Sequence, residues 1–406
     1  MNRMITIVIL VNLVLKAFSQ DVSQWRGPER TGAYKESGLL KKWPDTGPRM
    51  VWHFDGLGEG YGSAAVTSSG VFLTGMESGK GYVFALDHQG KLRWKKEYGK
   101  EWAESHSGAR ATPLVINDKL YLFSAYGKLV CMDCQDGRML WSIDFMGQYD
   151  ARNLEWGINE NLAFDGNTLF CVPGGRDANI VAVDRHSGKI IWKSKGSGEK
   201  SGYCSPLLIT LPRRKLLVTH MERSIHGIDA ATGTVLWKYG LVNQYSIHPN
   251  VPAYRNGYLY CTIGYGVGGV MLKLSEDGSS ITEVWKNKVP DPKTGGFVVL
   301  NDKIYGTGDF NRGFYSLDWK TGKVLINTNQ LCPANIITND GLLYVYAERP
   351  GQVALVEPLP DRLNVISSFK VPFGAGPHWA HLVIKDKRLY VRHGSSLMVY
   401  DIAEKK

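Results

Sequence analysis

A pattern of about 45 residues recurs along this 406-residue chain and limits what it can fold into. Its clearest copy reads Ala182-Val-Asp184-Arg-His-Ser-Gly188-Lys189-Ile-Ile-Trp192. Echoes run Gly227-Ile-Asp229 to Gly233 and Trp237, Cys131-Met-Asp133 to Gly137 and Trp141, and, one residue shorter, Ala85-Leu-Asp87 to Gly90 and Trp94. A copy at Asp318 and Gly322 has Ile326 in place of the Trp. Upstream of these units lie Asn/Asp/Gly turns followed by Leu-Tyr or Ile-Tyr, as at Asn117 to Tyr121, Asn256 to Tyr260 and Asn301 to Tyr305.

Each unit therefore reads as strand, turn, strand, loop, a third strand ending near Asp, a Gly turn, and a fourth strand carrying Trp. Four antiparallel strands per unit describe a propeller blade. The turn Asp bonds backbone amides of its own hairpin and Gly supplies the positive φ, so both are structural, and the Trp packs between blades. Counting Asp87, Asp133, Asp184, Asp229, Asp318 and Asp401 with degenerate equivalents near Leu274 and Glu357 gives eight units. The last stops after its third strand, and Arg49-Met-Val-Trp52-His-Phe54 resembles the missing fourth. The expectation is an all-β, eight-bladed propeller over residues 49–402, closed by an N-terminal strand that removes the sheet edges, with residues 20–48 as an N-terminal arm.

Composition agrees: 43% hydrophobic and 21% charged residues exclude disorder, and 46 glycines with 11% aromatics favour strands and tight turns. The net charge of +10 is spread without a run of five like charges, so no nucleic-acid partner is expected. Residues 1–19 carry Arg3, an apolar stretch Ile5 to Leu15 and Ala17-Phe-Ser19, the pattern of a cleaved export signal. An uncleaved anchor is the alternative, but eleven apolar residues fall short of the roughly twenty that span a bilayer. A periplasmic or extracellular monomer without a transmembrane helix follows. The Cys131-Met-Asp-Cys134 pair ends a strand rather than opening a helix, which argues for buried free thiols over redox chemistry.

The Ala-x-Asp-x-x-Ser/Thr-Gly-Lys-x-x-Trp pattern is similar to the repeat of the pyrroloquinoline quinone (PQQ)-like propeller superfamily, over roughly residues 49 to 402. Gln24-Trp-Arg-Gly-Pro28 looks like the start of many exported bacterial members. The resemblance implies the fold, and it leaves open quinoprotein dehydrogenases, scaffold proteins of outer-membrane assembly and members without known activity.

Segments entering the innermost strands, and loops between second and third strands, emerge on one face. The histidines His106, His220, His248, His378, His381 and His393 fall there. So do the arginines Arg110, Arg152, Arg176, Arg223, Arg312, Arg349 and Arg392. Glu77, Glu160, Trp156 and Trp379 complete the candidate ligand site, with Tyr61, Tyr203, Tyr265 and Phe310 as further aromatic surface. Arg forks and aromatic planes suit an anionic small molecule or an acidic saccharide, and a protein partner is the other class. Small residues at the strand starts, among them Ala64, Ala111, Ser205, Gly296 and Ala334, predict a funnel open to a ligand. Histidines titrating near ~6.5 predict tighter anion binding toward pH 6.

The reading is a binding or scaffolding propeller without catalysis of its own and with no required cofactor. The alternatives are a PQQ- and calcium-dependent oxidoreductase and a lyase acting on acidic sugars. Glu160, Asn161, Asn250, Asp309 and Trp379 are available to a quinone and its calcium, but no adjacent Cys-Cys pair accompanies them.

Overall fold

A computed structural model describes residues 20–152 and 154–404. The export signal expected at residues 1–19 lies outside them. Eight sheets, each built on four antiparallel blade strands, follow one another around a ring, six of four strands and two widened to five by short N-terminal strands. Blade 1 is Ala65–Thr67, Gly70–Glu77, Lys80–Leu86 and Leu92–Lys100, and each later blade repeats that order outward from the axis. Among the described residues no helix is long and apolar enough to cross a membrane.

The three inner strands of a blade are covered on both faces by neighbouring blades, so they read as apolar runs, as in Ile180–Asp184 of blade 3. The fourth strand has one face toward water and alternates, as in Ile190–Ser194. Every fourth strand also bulges by one residue. Trp141 faces Cys131 and Met139 faces Met132, leaving Leu140 unpaired, and the same slip recurs at Ala182/Val183, Gly227/Ile228, Met271/Leu272 and Ser316/Leu317.

The bulge aims the Trp at the next blade. Its indole N–H donates to a turn carbonyl there: Trp94 to Cys134 (3.2 Å), Trp141 to Arg185 (3.2 Å), Trp192 to Ala230 (3.1 Å) and Trp237 to Gly278 (3.1 Å). The turn glycine lies under the ring. A Cβ on Gly233 would sit 2.5 Å from Trp192. The turn carboxylates work as expected, Asp184 accepting from the Ser187 amide (2.8 Å) and hydroxyl (2.7 Å), which holds its pKa down.

Ring closure follows the same rules. Met50–Phe54 pairs antiparallel with Ser396–Asp401, Trp52 opposite Val399 and Met50 opposite Tyr400, so Val51 is bulged as in every other blade. Trp52 donates to the His88 carbonyl of blade 1 at 3.0 Å and covers Gly90. The eighth blade is thus shared by the two ends of the propeller. Five of the six cysteines are buried free thiols, and Cys332 is partly exposed. Burial pushes Cys131 and Cys134 up to about 12, which leaves them protonated and unreactive.

The expected funnel is floored, because the N-terminal arm runs through the axis. Val22–Ser23 adds antiparallel to the innermost strand of blade 2, and Ala33–Tyr34 adds parallel to that of blade 7. Between them Trp25, Arg26 and Arg30 are buried. Arg30 donates to the carbonyls of Asn161 (2.7 Å) and Leu162 (2.6 Å), and Arg26 to those of Gly295 (2.8 Å), Thr31 (3.0 Å) and Phe297. The arm around the Gln24-Trp-Arg-Gly-Pro28 motif is therefore a plug tied to blades 2, 3, 6 and 7, with Gly27 at φ +82° making its turn.

Candidate ligand-binding site

The loops that enter the innermost strands meet above this plug, and a closed belt of hydrogen bonds fixes their positions. Ser63 N–H donates to Thr112 Oγ1 (2.9 Å), Thr112 N–H to Asn161 Oδ1 (2.7 Å), and Asn161 Nδ2 to Ser205 Oγ (3.0 Å). Cys204 Sγ reaches the Asn250 carbonyl (3.4 Å), and Asn250 Nδ2 the Pro292 carbonyl (2.8 Å). Thr294 Oγ1 donates to Asn335 Oδ1 (2.9 Å), Asn335 Nδ2 to the Trp379 carbonyl (2.7 Å), and Ser63 Oγ to the His381 carbonyl (3.0 Å). Each link joins one blade to the next, so all eight loop positions are held together.

Within the belt a cavity of about 230 Å³ remains. Trp25 of the arm, Tyr61, Trp156, Tyr203, Tyr265 and Trp379 give it aromatic walls, and Arg110, Lys293, His106 and Asn159 add polar groups. Tyr61 and Trp379 lie 5.0 Å apart between centroids, with His106 on the same indole at 5.3 Å. Across the mouth, Trp156, Tyr245, Tyr265 and Phe310 form an arc with successive spacings of 6.5, 4.8 and 5.7 Å. Arg110 holds the rim by donating to the carbonyls of Trp156 (2.6 Å) and His106 (2.5 Å), and Lys293 pairs with Asp309 at 3.0 Å.

Of the residues expected at the site, His106, Arg110, Trp156, Trp379 and His381 line this cavity. His381 lies at its base. Its Nε2–H donates to the Thr294 carbonyl (3.0 Å), which leaves Nδ1 as the acceptor from Arg26 (3.1 Å). Burial and the Arg26 charge lower its pKa to about 3, so it is a neutral strut under Trp25, with which it makes an edge contact at 5.0 Å.

The other candidates are placed elsewhere. His220 and His248 stack at 4.0 Å and donate to the carbonyls of Leu241 (2.6 Å) and Glu222 (3.1 Å). His378 stacks on His393 at 3.7 Å and pairs with the Tyr346 hydroxyl at 2.7 Å. Burial lowers His248 and His378 to about 4, and His220 well below its usual value. Burial therefore favours the neutral form of these three imidazoles, and none of them is among the residues lining the cavity. Arg392 is buried and donates to Gly62 (2.9 Å) and Thr74 (2.7 Å), joining blade 8 to blade 1.

Glu160 is turned into its blade, accepting from Val172 N–H (2.8 Å), and burial raises its pKa to about 8. Glu77 pairs with Lys95, and Arg176 lies 3.7 Å from Asp150. Arg152 donates to the Gly198 carbonyl at 3.0 Å, and Arg223 is exposed away from the cavity. Arg312 and Arg349 line a neighbouring cavity. Sequence reasoning missed Trp25 and Lys293. The Trp-Arg-Gly-Pro motif in the arm was the available signal for Trp25, whereas nothing near Pro290-Asp-Pro-Lys293 marks the lysine.

A family model of the PQQ-like repeat, described as outer membrane protein assembly factor BamB, matches residues 44–152, 79–245 and 176–281, together more than half of the chain. The chain belongs to this PQQ-like propeller family. It is 26% identical over 230 residues to quinoprotein alcohol dehydrogenase PedH of Pseudomonas putida, covering 53% of this chain and 36% of that protein. It is 27% identical over 208 residues to outer membrane protein assembly factor BamB of Kangiella koreensis, covering 50% and 48%. The chain thus matches less than half the length of these relatives. The solved structure of BamB from Moraxella catarrhalis is similar with a TM-score of 0.59 at 14% identity, covering 87% of this chain and 99% of that one. That likeness speaks for the fold alone.

Some members of the PQQ-like family are named quinoproteins, and the residues here do not suit a quinone held on calcium. Calcium takes six to eight oxygen ligands with carboxylates prominent. Among the described residues the cavity lining has no carboxylate, and it presents Arg110 and Lys293 with Arg26 below. Of the groups the sequence made available, Glu160 faces away, Asn161 and Asn250 are committed to the belt, and Asp309 is held by Lys293.

Proposed function

We propose that this protein is an exported binding propeller without reaction machinery of its own, which holds one ring of an acidic saccharide in the cavity at the channel mouth. The observation that carries this reading is the lining itself: aromatic side chains around the opening, the Arg110 guanidinium with the Asp309-paired Lys293 beside it, and no carboxylate among the lining residues, with Trp25 of the arm among them. Aromatic planes stack on a ring, guanidinium and ammonium groups favour an anionic substituent, and the belt holds the walls in place before binding. The volume lies below the ~300–1,000 Å³ usual for larger ligands, which fits a single ring rather than an oligomer.

A scaffolding role is the second reading, favoured by relatives named for outer-membrane protein assembly and by the exposed arc of Tyr245 and Phe310 on the rim. Tryptophan fluorescence during titration with galacturonate tests the first reading. Saturable quenching that weakens at least about tenfold in Trp156→Ala and Trp379→Ala is expected, since each removes a stacking plane. Dye reduction by alcohols in the presence of PQQ and calcium, or release of unsaturated uronate, would overturn the non-catalytic assignment.

A further inference from the structure

A second cavity, of about 280 Å³, lies between the loops of blades 6 and 7 and is lined by Lys293, Asp309, Arg312, Glu348 and Arg349 with Cys332 and Pro333. Lys293 also lines the aromatic cavity, so the two share a wall. The loop that supplies Asp309 and Arg312 carries Phe310 between them, 58% exposed and 5.7 Å from Tyr265 of the first cavity. An exposed aromatic ring therefore stands between Tyr265 of the first cavity and the loop that lines the second.

The charges are unequally used. Asp309 is neutralised by Lys293 at 3.0 Å, with both side chains largely covered. Among the described residues neither Arg312 nor Arg349 has a carboxylate within ion-pair distance, although Glu348 lines the same cavity. Three cations against two carboxylates leave a cationic excess beside an exposed ring platform. Guanidinium forks pair with carboxylate and sulfate oxygens, and an aromatic ring takes the face of a sugar.

We infer that the second cavity is a subsite for the anionic group of a neighbouring sugar, so that the ligand is an acidic glycan of two or more units running from Trp25 past Lys293 to Arg312 and Arg349. This inference rests on the ring-binding reading above and extends it. It follows that affinity gains from chain length only when the added units are charged.

The test uses trigalacturonate, its fully methyl-esterified counterpart and the monosaccharide galacturonate, titrated into the wild type and an Arg312→Ala/Arg349→Ala double variant. Both arginines are exposed, and unchanged thermal unfolding of the variant verifies its fold. The wild type is expected to bind the acidic trimer about tenfold or more tightly than galacturonate and to show no such gain for the ester, and the variant to lose the trimer's gain while galacturonate binds both alike. Equal affinity of the wild type for the acidic trimer and galacturonate, or a gain from chain length that survives in the variant, overturns the second subsite while monosaccharide binding leaves the first intact. Failure of all three sugars to bind overturns both readings. A trithymidylate that binds more tightly than the acidic trimer overturns the assignment to a glycan.

Discussion

His381 is neutral in the folded protein because burial and the neighbouring Arg26 charge hold its pKa near 3, against about 6.5 in an unfolded chain. A group whose folded pKa is depressed contributes stability that is present above the unfolded value and lost as pH falls toward the folded one. Each such imidazole accounts for about 1.4 kcal/mol per pH unit below 6.5. His248 acts in the same direction, while Glu101 and Glu160, raised by burial to about 7 and about 8, act in the opposite one. His381→Asn keeps one acceptor and one donor but does not titrate. Denaturant unfolding between pH 6.5 and 4.5 is predicted to show a shallower loss of stability in His381→Asn than in the wild type. Parallel pH slopes would mean that His381 is not the neutral strut described.

At the scale of the element, the repeat is an interlock of one blade's Trp with the next blade's turn glycine. Gly233 and Gly257 separate the two costs of replacing such a glycine. Both have positive φ, +76° and +83°, but a Cβ on Gly233 meets Trp192 whereas one on Gly257 meets nothing within 4 Å. Gly257→Ala is predicted to cost about 1 kcal/mol from backbone strain alone. Gly233→Ala adds displacement of the Trp192 ring and is predicted to cost clearly more by denaturant unfolding, and equal costs would remove the interlock from the account. The blades were legible from sequence because Asp, Gly and Trp recur at fixed spacing, and the closing strand because Trp52 completes a unit that lacks its fourth strand. His106 and His381 line the cavity as the repeat register suggests, whereas His220 and His248 are buried against other loops. Whether His220 or His248 meets water depends on contacts with other loops, such as those carrying Leu241 and Glu222, and no periodicity encodes that.

For the whole molecule, the ring's convergence and the arm together make the site. Eight loops brought to one axis would leave a channel, and the arm turns it into a floored pocket by placing Trp25 across it. Trp25 and Arg26 occur once, without a periodic partner, so their role becomes visible only when the ring is closed around them. The arm is thus a part of the binding site, contributed from outside the repeats. The central claim is that this floored aromatic pocket holds a sugar ring. A crystal structure of the protein with saturating galacturonate tests it most directly. Ring density is expected above Trp25, between Trp379 and Trp156 and within reach of Arg110 or Lys293. Density confined to another part of the propeller, or an empty pocket at a galacturonate concentration that saturates the fluorescence change, would contradict it.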